Sequence, residues 1–231
     1  MKISGLQKTS LIDYPGKIVS IIFTQGCNYR CPYCHNSQLI PVNNTNDDYL
    51  PQDYLFSFLE ERQGLIDGVS ITGGEPTIQK DLVDLIVKIK SMDLLVKLDT
   101  NGSIPEVIEE LINKKIIDYL AMDIKGSLKK YKQIAGKKAD KDSIKSSIKL
   151  ILNSDLSYEF RTTVVPTLHE RNDFYEIREL IKGADRYFIQ NFRPANTLNP
   201  CLLKLNGFPV AKLNEFKNII KSYVNKIEIR N

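Results

Sequence analysis

Three of the four cysteines lie within eight residues, where their thiolates could bind one metal centre. Cys27, Cys31 and Cys34 follow a short apolar run with the spacing Cys-x-x-x-Cys-x-x-Cys. Cysteines this close together are poor candidates for a disulfide framework, whereas thiolates are the usual protein ligands of iron–sulfur clusters. A cubane cluster has four irons, so three cysteines would leave one iron free for a substrate. The spacing favours a 4Fe–4S cluster with an open coordination position.

Zinc is the alternative metal for the same cysteines, with His35 as the fourth ligand of a Cys₃His site. Zinc ligands usually come from two separated knuckles, and the sequence has no second knuckle; His169 is its other histidine. A non-catalytic zinc or iron–sulfur binding module would use the same residues. Cys201 stands apart and is interpreted as a small, partly buried hydrophobic residue.

Further polar residues follow or interrupt the predicted strands. A glycine-rich turn, Gly73-Gly74-Glu75-Pro76, follows one strand, and glycines let the backbone approach a ligand closely. Charged side chains that could anchor the polar groups of a ligand occur on the later strands, and they are Asp99, Asp123, Lys125 and Arg161.

Apolar runs alternate with amphipathic stretches along the chain, which predicts parallel strands joined by right-handed helical crossovers. The strands are predicted at 18–24, 69–72, 95–100, 119–124, 158–165, 186–190 and 226–229. Helical periodicity occurs at 53–61, 82–89, 107–112, 144–151, 177–181 and 210–224, and a polar run at 43–48 is predicted to be a loop.

About six strand–helix units are too few for the eight of a closed barrel. The predicted fold class is therefore α/β, an incomplete (β/α)6-type TIM-like barrel with parallel strands. We expect a single domain over 1–231, with a core at about 16–192 and a C-terminal helix and short strand at 193–231. In this architecture chemistry collects at the carboxyl ends of the strands.

The cysteine motif after the first strand, with Tyr33 beside Cys34, resembles the radical S-adenosylmethionine superfamily. Gly73-Gly74-Glu75-Pro76 resembles that family's GGEP, which contacts the amino group of the methionine moiety. The resemblance implies that the open iron chelates S-adenosylmethionine. One electron from the reduced cluster then cleaves the sulfonium and releases a 5′-deoxyadenosyl radical.

Three further segments resemble the activating enzymes of glycyl-radical enzymes. Asp99-Thr100-Asn101-Gly102 is similar to their DTNG, and Asp123 and Lys125 to their xDxK, while Arg161 matches a basic residue that faces the cofactor. In relatives the aspartates and the lysine surround the ribose and carboxylate of the cofactor, sometimes with a monovalent cation.

The N-terminal segment Thr9–Lys17 resembles the anaerobic ribonucleoside-triphosphate reductase activating proteins. This resemblance implies an oxidoreductase whose partner is a glycyl-radical enzyme, with anaerobic ribonucleotide reductase favoured, and a flavodoxin or ferredoxin as electron donor. A radical enzyme acting on a small molecule, such as a deazaguanine precursor, is the alternative. The segment 190–194 departs from the Pro-Tyr-His of pyruvate formate-lyase activases, which argues against that partner.

Net charge and hydropathy indicate which partners and locations are not expected. The formal net charge of +4 is too small to indicate a nucleic-acid partner. No apolar run approaches the roughly 20 residues that span a bilayer, so no membrane association is expected and the cytoplasm is the expected location. Lysines cluster between Lys125 and Lys149; a solvated helix face is the favoured interpretation, and a docking surface for an acidic partner is the alternative.

Overall fold

Short runs rich in Val, Ile and Leu form the strands of an α/β structure. The computed structural model describes residues 1–41 and 49–230, so the predicted loop at 43–48 lies outside the described residues. The strands are β1 (Ile3–Ser10), β2 (Val19–Thr24), β3 (Gly68–Gly73), β4 (Leu95–Thr100), β5 (Tyr119–Asp123), β6 (Ser157–Val164), β7 (Arg186–Asn191) and β8 (Lys226–Arg230). Strand order in the sheet follows chain order.

Each of the seven predicted strands is present, and β1 is an addition. β1 pairs antiparallel with β2. The sequence prediction missed it because Gly5 and several polar residues interrupt its apolar pattern, whereas β2 reads as a continuous run of strand-forming residues.

The helices are α1 (Gln52–Glu61), α2 (Leu82–Lys90), α3 (Pro105–Asn113), α4 (Tyr131–Ala135), α5 (Lys141–Leu152), α6 (Arg171–Leu180) and α7 (Val210–Ile220). Six of them correspond to the predicted periodic stretches, and the five-residue α4 was too short to be predicted. The prediction of a helix to Val224 was wrong, because α7 ends at Ile220 and a turn precedes β8.

The chain divides into two compact units. The first comprises residues 1–28, 38–100 and 106–120, and contains β1 to β4 and the first part of β5. Its parallel strands bring Ile22, Ile71 and Leu98 into register, and all three are fully buried. Parallel pairing also brings the carboxyl ends of β3 and β4 to the same edge, where the glycine-rich turn and Asp99 lie.

The second unit comprises residues 29–37, 101–105 and 121–231. β6, β7 and β8 pair in parallel, and α6 packs on α7 through the stacked rings of Phe174 and Phe216, whose centroids are 4.0 Å apart. The buried Glu159 accepts two hydrogen bonds from Arg230, at 2.8 and 3.0 Å, and so ties β8 to β6.

The predicted α/β class with mainly parallel strands is confirmed by these pairings. The single-domain prediction stays a prediction. No helix in the described residues combines the length and the apolar character that crossing a membrane requires.

Candidate functional site

Within the second unit, the turn that carries Cys31 and Cys34 is held by the chain that follows β7. The Cys34 amide donates to the carbonyl of Cys31 at 3.1 Å, which closes a turn between the two cysteines. The Asn199 amide donates to the carbonyl of Pro32 at 2.8 Å. A ring nitrogen of His35 lies 2.8 Å from the carbonyl of Arg193. Hydrogen bonds to backbone groups therefore fix the shape of the turn. None of these bonds involves the thiol of Cys31 or of Cys34.

All four cysteines are free thiols. Burial raises the pKa of Cys31 to about 11, while the charge of Lys125 acts in the opposite direction. Burial also raises the pKa of Cys34, again opposed in part by Lys125. Forming thiolates here therefore requires a compensating positive charge, which a metal centre would provide.

The structure brings Cys31 and Cys34 close enough to interact electrostatically. Across 1–41 and 49–230, no group of three or more His, Cys, Asp or Glu side chains could hold a metal ion. The prediction for Cys201 as a partly buried residue was wrong: its side chain is exposed, because it sits at the outer start of a short 3₁₀ helix capped by Asn199.

A triad of charges lies beside Cys31. The carboxylate of Asp123, at the end of β5, accepts from Lys125 Nζ at 3.0 Å and from Arg161 Nε on β6 at 2.8 Å. Burial alone would raise the pKa of Asp123, but the positive charges of Arg161 and Lys125 hold it well below its usual range. Burial opposes the charge on Lys125, but Asp123 outweighs that effect and raises the pKa of the lysine. Two cations and one anion remain charged together.

Backbone hydrogen bonds fix the segment that carries Lys125. The Lys125 amide donates to the hydroxyl of Tyr131, from α4, at 3.3 Å. His169 is buried, and its Nδ1 accepts from the Val165 amide at 3.0 Å, so its Nε2 carries the proton and donates to the Lys125 carbonyl at 2.9 Å. Burial lowers the pKa of His169 and favours this neutral form.

Tyr33 is buried between these groups in the second unit. Its ring lies 6.4 Å from that of His169, edge to face. Its hydroxyl is buried and has no hydrogen-bond partner among the described residues. A buried hydroxyl without a partner costs free energy, so this oxygen is a candidate to form a hydrogen bond with a polar group of a ligand.

In the first unit, the glycine-rich turn holds the start of the cysteine loop. The Gly74 amide donates to the carbonyl of Thr24 at 2.9 Å, and the Glu75 amide donates to the carbonyl of Gly26 at 2.8 Å. A Cβ on Gly74 would overlap the Gly26 carbonyl, and Gly73 has φ +112°, which only glycine adopts readily. The two glycines therefore let the turn approach the residue that precedes Cys27.

The Glu75 side chain is buried and held by neutral donors. Its Oε1 accepts from the Thr77 amide at 3.1 Å, the Thr77 hydroxyl at 2.7 Å and the Thr100 hydroxyl at 2.7 Å. These bonds tie the end of β4 to the turn after β3. The carboxylate is thereby fixed in one orientation.

Asp99 on β4 forms an ion pair with Lys97, two residues earlier on the same face. It also accepts from the hydroxyl of Thr72 at 3.3 Å. Lys97 is 3% exposed. Sequence reasoning overlooked Lys97, Tyr131 and His169; a lysine inside an apolar strand, as in Val-Lys-Leu-Asp, was the one available signal.

Comparison with known proteins identifies the family of the chain. Residues 21–181 match the family model described as the radical SAM superfamily. A Methanocaldococcus jannaschii protein, provisionally named a glycyl-radical enzyme activating enzyme, is 38% identical over 99% of this chain and 95% of its own length. A Clostridium pasteurianum pyruvate formate-lyase-activating enzyme is 28% identical over 85% of this chain and 83% of its own. The chain belongs to the radical SAM superfamily and, within it, to the family of glycyl-radical enzyme activating enzymes.

A solved structure gives the same fold. Streptococcus suis SuiB, crystallised with S-adenosylmethionine, superposes with a TM-score of 0.69 at 15% identity, over 90% of this chain and 48% of its own. The chain thus spans about half the length of that structure. The predicted fold class, an incomplete (β/α)6-type barrel, and the predicted superfamily are confirmed. The cofactors of this superfamily are a 4Fe–4S cluster and S-adenosylmethionine.

Proposed function

We propose that this chain is the activating enzyme of a glycyl-radical enzyme, with anaerobic ribonucleotide reductase as the partner. Cys27, Cys31 and Cys34 would hold the 4Fe–4S cluster. S-adenosylmethionine would bind to Tyr33, Gly73, Gly74, Glu75, Asp99, Asp123, Lys125 and Arg161, and a monovalent cation could lie at the aspartates.

The charged triad beside the cysteine turn carries the proposal. Lys125 interacts with Cys31 and Cys34 and bonds to Asp123, so one cation links the thiols to a set of fixed charges. S-adenosylmethionine is a zwitterionic amino acid joined to a nucleoside. A site for it needs cations for a carboxylate and acceptors for hydroxyl groups, and the triad supplies both.

The donor set fits the cluster. Three thiols within eight residues, none of them in a disulfide, match the thiolate ligation of iron–sulfur clusters. A cubane bonds each cysteine to a different iron, so its ligands need not converge on a single point. When bound, the cluster supplies the electron that cleaves S-adenosylmethionine, and the resulting radical takes a hydrogen atom from a glycine Cα.

The roles of the protein groups follow from their charges. Lys125 pairs with the carboxylate of the cofactor, and Glu75 accepts from its ammonium group, since its own orientation is fixed by Thr77 and Thr100. Asp99 and Asp123 accept from ribose hydroxyls. Tyr33 covers the cofactor from the cysteine turn. These groups bind and orient; the chemistry belongs to the cofactors.

The choice of ribonucleotide reductase is supported by the N-terminal segment Thr9–Lys17. The near full-length similarity to the M. jannaschii protein supports a glycyl-radical enzyme as the class of partner. The pyruvate formate-lyase-activating relative is more distant at 28% identity. The chain also departs from the Pro-Tyr-His pattern at Gln190–Pro194. Ribonucleotide reductase is therefore favoured over pyruvate formate-lyase.

The cluster assignment is tested by anaerobic reconstitution of the wild type and of single Cys→Ala variants at 27, 31 and 34. About four irons and four sulfides per chain are expected for the wild type. The reduced protein should give an electron-paramagnetic signal that changes with S-adenosylmethionine. Each variant should lose both, and Cys201→Ala, the matched control, should keep both. Tightly bound zinc with no iron uptake would refute the assignment.

The partner assignment is tested with the reduced, reconstituted enzyme and S-adenosylmethionine. Anaerobic ribonucleotide reductase from the same cell should acquire the doublet signal of a glycyl radical and become cleavable at that glycine by oxygen. Formation of 5′-deoxyadenosine should be faster with the partner than without it. Consumption of a pterin-like small molecule, with no protein gaining a radical, would instead establish the small-molecule alternative.

A further inference from the structure

Two groups of lysines near α4 differ in their partners. Lys129 pairs with Glu176 at 2.6 Å, and Lys130 with Glu170 at 2.5 Å and with the buried Asp173 at 3.1 Å. Lys132, Lys137 and Lys138 are exposed. Within the described part of the chain these three form no ion pair with a carboxylate, which leaves a positively charged surface at the end of α4.

This surface is continuous with the cysteine loop inside the second unit. The Arg30 amide, in the loop before Cys31, donates to the carbonyl of Ala135 at 2.8 Å. Gly136 has φ +100°, and a Cβ there would lie 3.4 Å from Arg30. Glycine thus allows the turn leading to Lys137 to pack against Arg30. We call Arg30, Lys132, Lys137 and Lys138 the basic surface; Arg30 is itself exposed.

The pKa of Asp140 is lowered mainly by its hydrogen bonds to Ser143 and, to a smaller degree, by the charge of Lys132, so this carboxylate offsets only part of the basic surface. Asp140 caps α5, accepting from the Ser143 amide at 2.8 Å and the Ser143 hydroxyl at 2.9 Å. Asp142 lies 3.6 Å from Lys145. Surface lysines without an ion pair add little to folding stability, but they attract an acidic partner and speed its association.

We propose that the basic surface docks a small acidic electron-carrier protein that reduces the cluster. The inference rests on the proposed function, because it assigns the cluster to the loop beside the surface. The cluster must gain one electron for each cleavage of S-adenosylmethionine, and no other redox group is assigned to the chain. The carrier loses one electron and the cluster gains it, with no bond made or broken. Docking next to Arg30 brings the carrier onto the loop that holds the thiolates.

A matched pair of variants tests the surface. Lys137→Glu/Lys138→Glu reverses two of its charges, whereas Lys145→Glu/Lys149→Glu reverses two exposed lysines on α5. Each Lys→Glu change lowers the net charge by two, so both variants go from +4 to zero. Any difference between them therefore comes from position rather than from total charge.

Binding is measured by calorimetry on the full chain with purified flavodoxin and purified ferredoxin as separate probes, at low and at physiological salt. For the probe that binds the wild type, the 137/138 variant should bind about tenfold more weakly at low salt, with a flatter salt dependence. The 145/149 variant should stay within about twofold. Equal weakening in both variants, unchanged binding, or no binding of either probe to the wild type would overturn the proposal.

Activity separates this inference from the proposed function. With dithionite as reductant, cleavage of S-adenosylmethionine should be equal in the wild type and both variants. With the reduced carrier, only the 137/138 variant should slow, by about tenfold at subsaturating carrier. If dithionite gives no cleavage in the wild type, the proposed function fails, and the binding measurement still decides the surface. Loss of glycyl-radical partner binding, with carrier binding intact, would assign the surface to that partner and overturn the proposal.

Discussion

The two units each hold a carboxylate at or just after the end of a strand, and they do so by different means; Glu75 is buried and Asp123 is partly buried. In the first unit, Glu75 accepts from an amide and two hydroxyls, all neutral. In the second unit, Asp123 accepts from Lys125 and Arg161, both charged. Neutral donors orient a carboxylate and leave its charge for a ligand. Charged donors depend on that carboxylate for their own neutralisation.

Because of this difference, the orientation of Glu75 and the neutralisation of charge at Asp123 can be tested separately. An amide in place of Glu75 could still accept the three hydrogen bonds to Oε1, so it should preserve the turn while removing the negative charge. An amide in place of Asp123 would leave two cations close together without their anion. We therefore expect loss of the Glu75 charge to act mainly on binding, and loss of the Asp123 charge to act mainly on stability.

The largest expected effect is on folding stability in a pair of isosteric variants. Asp123→Asn should lower the free energy of unfolding by about 2–3 kcal/mol, somewhat less than for a fully buried ion pair because Asp123 is 30% exposed. Glu75→Gln should cost about 1 kcal/mol or less, since its acceptor oxygen remains. Anaerobic urea unfolding, followed by circular dichroism, measures both. Equal losses in the two variants would break the comparison.

Cofactor affinity gives the second effect. Lys125→Ala should weaken S-adenosylmethionine binding by roughly ten- to a hundredfold, because a charge-assisted hydrogen bond contributes about 1.5–3 kcal/mol. The cluster should still assemble, since the thiols remain. Lys129→Ala is the matched control, because that lysine is exposed and pairs with Glu176. Unchanged affinity in the Lys125 variant, measured by calorimetry with iron content verified, would refute its role.

The third effect concerns the close approach of two backbone segments in the first unit. Gly74→Ala should destabilise the protein by about 2 kcal/mol and impair cluster assembly, because its Cβ would collide with the Gly26 carbonyl beside Cys27. Gly5→Ala is the control: its Cβ would meet Phe23 at an ordinary 3.7 Å. The urea midpoint and the iron content per chain measure the two consequences. A Gly74 variant with normal values of both would show that the turn can move away.

Local patterns in the sequence predicted the strands, most helices and the positions where polar residues follow strands, because each of these depends on neighbours in the chain. Contacts between distant segments were not predictable in this way. Gly74 meets Gly26, and His169 bonds to Lys125, across 48 and 44 residues. The sequence analysis interpreted the glycines of the turn as leaving space for a ligand. In the structure, the backbone of Gly26 occupies the space beside Gly74. Lys97 was not predicted as a site residue, and its ion pair with Asp99 is seen only in the structure.

The smallest expected effect concerns how the charged site is held, and it appears as a pH dependence. His169 is neutral in the fold: Nδ1 accepts from the Val165 amide, and Nε2 donates to the Lys125 carbonyl. Burial lowers its pKa below the ordinary value of about 6.5. Below that pH the unfolded chain binds a proton that the folded chain does not. The free energy of unfolding should therefore be greatest above pH 6.5 and decrease as the pH falls, by at most about 1.4 kcal/mol per unit.

The measurement is urea unfolding of the wild type and of His169→Gln between pH 7.5 and 5, where carboxylates contribute little. Glutamine can still donate to the Lys125 carbonyl but does not titrate, so the pH slope assigned to His169 should disappear while cofactor affinity at pH 7.5 is largely retained. The exposed His35 is common to both proteins and cancels in the difference. The Glu75 turn contains no histidine, so Glu75→Gln should keep the wild-type slope. An unchanged slope in His169→Gln would mean that the histidine is protonated in the fold or exposed to solvent, and that the Lys125 segment is held by Tyr131 alone.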